Sequence, residues 1–221
     1  MKKIIITLIA MGLLNIASSG ELVKNDWFVD EVSQPVKCIT EMTDTGLMRT
    51  LSVTKYNQKG FKESAIVTLK YGDTVHRKIF VYFQPYQGNQ RTVLTSFAEL
   101  NRQELLKNWH KMDTTIEKWT SPLMYQAIDK TAISHRLLDN QGHIMQLSRV
   151  FSLDEQSKKY STEFVYFDSF ADYKAAILDK NMTAIVTLAH DEKGNWVYRK
   201  SMNRKEQAIV KRYIEYYEAP N

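Results

Sequence analysis

Residues 63–83, ESAIVTLKYGDTVHRKIFVYF, carry the reading that decides the fold. Ala65, Val67, Leu69 and Tyr71 alternate with Ile66, Thr68 and Lys70. After Gly72 and Asp73, Ile79, Val81 and Phe83 alternate with Phe80 and Tyr82. A period of two in β-branched and aromatic residues, broken by a Gly-Asp pair, spells two strands and a turn. Upstream, Leu51, Val53 and Lys55 alternate with Ser52 and Thr54 between Gly46 and Gly60. Five or six short strands between Trp27 and Phe97 predict an antiparallel, sandwich-like half.

The period then changes. Leu105, Trp109, Met112 and Ile116 are spaced by four, three and four, which sets them on one face of a helix over 98–115. Ser121-Pro122 ends that region, because proline holds the residue before it extended. Beyond it, residues 131–138 and 143–153 flank the turn at 139–142 as a hairpin, and 183–190 with 196–200 form another around 191–194. Residues 162–167 read as a strand, and Asp168-Ser169 caps a helix with Phe170, Tyr173 and Ile177 on its apolar face. Asn203 with Glu206 three residues on resembles a capping box, opening a C-terminal helix packed through Ile209, Tyr213, Tyr216 and Tyr217. The expected class is α+β, mainly β: a signal peptide (1–19), a β-rich half (20–97), a connecting helix (98–118) and an α+β half (119–221) that ends in a helix. A faint echo links Trp27, Gly46 and Leu51 to Trp119, Gly142 and Leu147, as a duplication would.

Composition narrows the function classes. Of 221 residues 43% are hydrophobic, enough to form a core, which excludes wholesale disorder. One cysteine excludes a disulfide-stapled mini-domain and a Cys-rich zinc site. Lys2 and Lys3, the apolar stretch 4–14 and the small residues Ala17, Ser18, Ser19 and Gly20 form a secretory leader, cleaved after Ser19, with cleavage after Gly20 as the alternative. Its apolar core is too short to span a bilayer, and no later run is longer, so no stable membrane insertion is expected after cleavage. The formal charge of +5 falls to +3 once Lys2 and Lys3 leave with the leader, and acids interleave with bases, which excludes nucleic acid as a partner. Cys38, flanked by apolar residues and without an intramolecular partner, reads as a small buried hydrophobe, with intermolecular pairing or a reactive thiol as the alternative.

Chemistry-bearing patterns are sparse. His76, His110, His135, His143 and His190 form no metal-binding spacing; closing the 139–142 turn as a two- or four-residue loop puts His135 and His143 on opposite faces. Ser52 and Lys55 match S-x-x-K, but on a strand they point apart. His110 and Asp113 read as polar helix face, and the acids Asp26, Asp30, Glu31, Asp168 and Asp172 as solvated. No Gly-rich phosphate loop occurs, and no metal or cofactor is expected. The most binding-like stretch is residues 84–91, where Tyr86, Gln87, Asn89 and Arg91 offer an aromatic plate, amides and a guanidinium suited to a glycan or peptide.

Asp26, Trp27, Phe28 and Val29, then Cys38, Ile39 and Thr40 and alternating strands from Leu51, resemble the opening of the invasion-associated locus B family. The resemblance implies an exported bacterial protein with a sandwich-like β fold that acts by interaction; it gives no residue a role. The function expected is that of a non-catalytic binding module of the cell envelope, periplasmic or secreted, with an envelope protein or glycan as partner. The alternatives are a small envelope hydrolase drawing on His110, His135 or His190, and a structural component of an envelope or secretion assembly.

Overall fold

A computed structural model describes residues 23–100, 106–151 and 159–218. The leader expected over 1–19 lies outside them. The first four strands are β1 (Val36–Asp44), β2 (Met48–Tyr56), β3 (Lys62–Tyr71) and β4 (Thr74–Phe83). Next come β5 (Gln90–Leu100), β6 (Leu106–Ser121), β7 (Met124–Ile128), β8 (Ala132–Leu138) and β9 (Ile144–Phe151). The last four are β10 (Lys159–Phe167), β11 (Met182–His190), β12 (Trp196–Met202) and β13 (Gln207–Tyr216). Two short helices, α1 (Asp26–Val29) and α2 (Phe170–Ala175), complete the elements.

The thirteen strands close into one barrel, not a sandwich followed by an α+β half. Closure is made by β1 against β13, with Ile39 opposite Ile214 and Glu41 opposite Arg212. This pairing joins residues 165–180 positions apart, and local alternation carries no information about it. An odd ring cannot alternate strand direction all the way round, so one parallel joint is obligatory. It falls between β10 and β11, and a parallel joint needs a crossover, supplied by residues 168–181 with α2. Ser169 caps α2 as expected, accepting from the Asp172 N–H, but Ile177 lies beyond the helix and is exposed.

The connecting helix expected over 98–118 is instead the end of β5 and most of β6. The pairs Thr95–Asp113 and Phe97–His110 advance two residues on β5 against three on β6, the signature of a bulge. A bulge changes same-face spacing from two to three, which imitates helical periodicity. The C-terminal helix is likewise β13. The Asn203 side chain does accept from the Lys205 and Glu206 N–H groups, but it caps the β12–β13 turn. Beyond it Ala208, Val210, Arg212, Ile214 and Tyr216 share one face of the strand.

Pair register assigns the two faces. Arg91 lies opposite Glu117, Tyr125 opposite Trp119 and Arg136, Tyr166 opposite Ile185, and Arg199 opposite Val210. The short segment holding α1 bonds to members of this set on β2, β3, β5, β12 and β13, strands spread around the ring. So few residues reach all of them only from within, so this set faces the bore and α1 is a plug. Two of the three buried clusters sit there. Val32, Val36, Ile39 and Tyr56 pack with Trp27 and Ile214; Trp119, Tyr125 and Leu138 pack with Phe28 and Val29. Each such large side chain contributes about 1.5–3 kcal/mol on burial. The third cluster lies outside, where Tyr173 and Leu178 of the crossover cover Ala184 and Val186.

The echo of Trp27–Gly46–Leu51 in the second half falls on unlike places. Gly46 turns at the mouth far from the plug, whereas Gly142 turns directly against it.

Candidate binding site at the plugged mouth

The plug begins with Asn25, whose side chain accepts from the Phe28 N–H at 3.1 Å and caps α1. The Asp26 and Trp27 N–H groups both donate to the Gly60 carbonyl, at 2.8 and 3.2 Å. Two glycines make room for it. A Cβ on Gly60 would stand 2.6 Å from the Trp27 ring, and one on Gly142 would stand 2.0 Å from the Phe28 carbonyl oxygen, each at positive φ. Ser33 ties the far end of the segment to Asn195 through its N–H and its hydroxyl.

Three acids of the plug meet cations of the wall. Asp26 receives both Arg91 terminal nitrogens, at 2.6 and 2.8 Å, and the Lys62 N–H at 2.6 Å. Arg91 also donates from Nε to Glu117 at 2.8 Å and lies between the Phe83 and Tyr86 rings, each centred 4.7 Å from it. Its side chain is 3% exposed. Asp30 takes the Lys62 ammonium at 2.9 Å and the Tyr56 hydroxyl at 2.5 Å, while its carbonyl accepts from Arg212. Burial alone would raise the Asp30 carboxyl, but Lys62, Arg212 and Tyr56 outweigh it and hold it below the usual carboxylate range. Glu31, at positive φ, meets Arg199 at 2.5 Å. Arg199 and Arg212 both stack on Trp196.

His143 borders this network. It sits in the β8–β9 turn with Nδ1 2.8 Å from Asp139 and Nε2 3.6 Å from Glu31, its ring stacked on Tyr166. His135 faces outward, its Nδ1 3.3 Å from the Gln126 side-chain amide, so the two histidines stand on opposite faces. His190 pairs with Trp196 on β11, three strands from β8. His110 pairs with Phe97 in the β5–β6 ladder; its side chain lies outside what the structure describes. Among the described residues no three His, Cys, Asp or Glu side chains converge as a metal site requires. Ser52 pairs with Glu41 on the bore face and Lys55 with Cys38 on the other. Cys38 is free and buried, and burial pushes its thiol up.

Beside the plug the β3–β4 ladder ends at Ser64 opposite Tyr82, and residues of the turn after β2 and of the loop after β4 line a cleft of about 680 Å³. Phe61 and Tyr86 form its inner wall, ring centres 5.6 Å apart, and Tyr82 its outer wall at 54% exposure. Lys62 and Arg91 make the floor; Lys59, Glu63 and Gln84 stand at the sides.

The residues expected to bind within 84–91 divide here. Tyr86 and Arg91 line the cleft, with Arg91 engaged by Asp26 and Glu117. The Tyr86 hydroxyl accepts from Trp119 Nε1. Asn89 turns away and donates to the Trp119 carbonyl, and Gln87 bridges to Gln90. Phe61, Lys62 and Tyr82 escaped the sequence reading; each lies on a strand or turn more than 20 residues from Tyr86 or on the adjoining strand, where only pairing discloses proximity. Asp26, Asp30 and Glu31 were visible as an acidic group, but their cationic partners lie 32–182 residues away. Set against protein-family models, curated proteins and solved structures, the chain matches none.

Proposed function

We propose that the chain is an exported, non-catalytic binding module of the bacterial cell envelope, with its ligand held in the cleft between the β2–β3 turn and the 84–91 loop. The observation that carries this reading is the cleft itself. It combines a volume typical of ligand sites with exposed aromatic faces, an amide and a lysine, on a floor whose charges are already neutralised by the plug. Paired floor charges fix the shape of the site rather than react, which favours recognition over chemistry. Loops and strand ends carried on a rigid ring are where recognition commonly sits.

An aqueous location agrees with the outward face of β2. No helix among the described residues is long and apolar enough to cross a membrane. A spanning barrel needs an outer apolar band about 25 Å tall, whereas outward positions on β2 read Arg49, Leu51, Val53 and Lys55, two apolar residues between charges.

The test is capture from bacterial envelope extract by the immobilised mature protein, comparing wild type with Lys59→Ala and Tyr82→Ala. Both side chains face the cleft and neither belongs to the ion network. Loss of about tenfold in the captured protein or glycan is expected, the equivalent of about 1.4 kcal/mol. Equal capture by all three would contradict the reading.

A further inference from the structure

We infer that the half of the bore away from the plug is a second binding site, for a single acyl chain with an anionic headgroup. Leu147, Arg149 and Phe151 on β9 and Tyr160 and Thr162 on β10 line a cavity of about 330 Å³. Register sets all five on the bore face: Leu147 opposite Arg136 and Thr162, Arg149 opposite Ser134 and Tyr160. Thirteen strands enclose more room than the roughly eight that hold one small ligand and less than the roughly sixteen of an aqueous channel.

Exposure shows that the described residues leave this wall unfilled. Tyr160 keeps 58% of its surface although it points inward, and it meets Phe151 edge-on at 5.8 Å. From Leu147 to Phe151 the wall runs about 13 Å along the strand, the reach of a medium-length extended chain. A wall of that length, carrying Leu147, Phe151 and Tyr160, suits one flexible chain.

The charge at its edge selects the head. Arg149 lies over Phe151 at 4.8 Å, and among the described residues its one ion pair is Nη2 to Asp129 at 3.3 Å. Asp129 does not depend on it, since its other oxygen accepts from the Thr131 N–H, the Thr131 hydroxyl and the Ala132 N–H. A guanidinium has five N–H donors, so Arg149 retains donors for a carboxylate or phosphate while its ring contact aligns the chain.

This site is independent of the cleft, and titration calorimetry on the mature protein tests it. The probes are decanoate, decanol and decanoyl lysophosphatidylglycerol, each below its micellar concentration. Saturable binding of decanoate or of the lysolipid is expected, at least fivefold tighter than decanol, and the better of the two identifies the headgroup. Arg149→Gln is expected to weaken the acidic probe about tenfold and leave decanol unchanged. Leu147→Glu is expected to abolish binding, and Tyr160→Ala to weaken it should the first variant misfold. Tyr82→Ala, in the cleft, leaves decanoate binding as in wild type. Absence of saturable binding by either acidic probe, or equal binding by Arg149→Gln and Tyr160→Ala, overturns the inference.

Discussion

The two mouths of the barrel are made from similar hairpin turns and finished in opposite ways. At the plugged mouth Trp119, on the bore face of β6, is 1% exposed beneath Phe28 and Val29. At the other mouth Asp113, on the bore face of the same strand, has 62% of its side chain in water. Along one strand, then, the inner wall passes from packed core to wetted surface. The difference lies in the described segment before β1, residues 23–35, and not in the strands. A wide ring cannot fill itself with its own side chains, so a separate segment closes this end; among the described residues none closes the other, which leaves a cup.

The largest effect that would break this contrast is at Arg91. Replacing it by alanine leaves Asp26 a buried carboxylate with no cation on it and Glu117 a partly buried one, and a loss of about 3–5 kcal/mol is expected by urea denaturation. Arg149→Ala at the other mouth, removing a partly exposed contact, is expected to change stability by less than about 1 kcal/mol. Similar losses for the two arginines would mean that the mouths do not differ.

Glycine gives the next comparison. Gly142 and Gly46 both have positive φ, but a Cβ on Gly142 collides with the Phe28 carbonyl while one on Gly46 meets open space. Gly46→Ala carries backbone strain alone, about 1 kcal/mol. Gly142→Ala adds the collision and is expected to lose more than about 2 kcal/mol, with faster amide exchange in the plug. Equal melting shifts would remove the plug from the account.

Acid supplies the third. Asp30 titrates below its unfolded value, so its contribution is fully present above about pH 4 and lost as the pH falls through the folded value. Asp30→Asn is therefore expected to lower the urea midpoint at neutral pH, and this deficit is expected to shrink as both proteins are taken below about pH 4. A deficit that grows on acidification would reverse the assignment. The smallest effect belongs to Lys130 and Asp113, an exposed pair at 3.9 Å, whose removal by Lys130→Ala is expected to shift stability by less than about 0.5 kcal/mol.

Strands were legible wherever alternation ran unbroken. The 63–83 hairpin, the hairpins around 139–142 and 191–194, and the Ser169 cap all stand where periodicity and turn residues put them. Legibility failed at β6, where a bulge imitates a helical stripe, and at β13, where an Asn cap serves a strand turn instead of a helix. It failed also for closure, because nothing in the composition of β1 names β13 as its neighbour. At the cleft Tyr86 and Arg91 stood out as an aromatic and a cation in a loop. Their partners did not, since Asp26 meets Arg91 across 65 residues and reads alone as a solvated acid.

Thiol labelling tests the cup most directly. In a Cys38→Ser background, single cysteines replace Val93, on the bore face two residues past Arg91 and buried, and Thr162, on the bore face toward the other mouth. A charged maleimide is expected to modify Thr162→Cys at least roughly a hundredfold faster than Val93→Cys in the folded protein, with equal rates in urea. Equal rates in the folded protein, or a protected Thr162→Cys, would contradict a bore sealed at one end and wetted at the other.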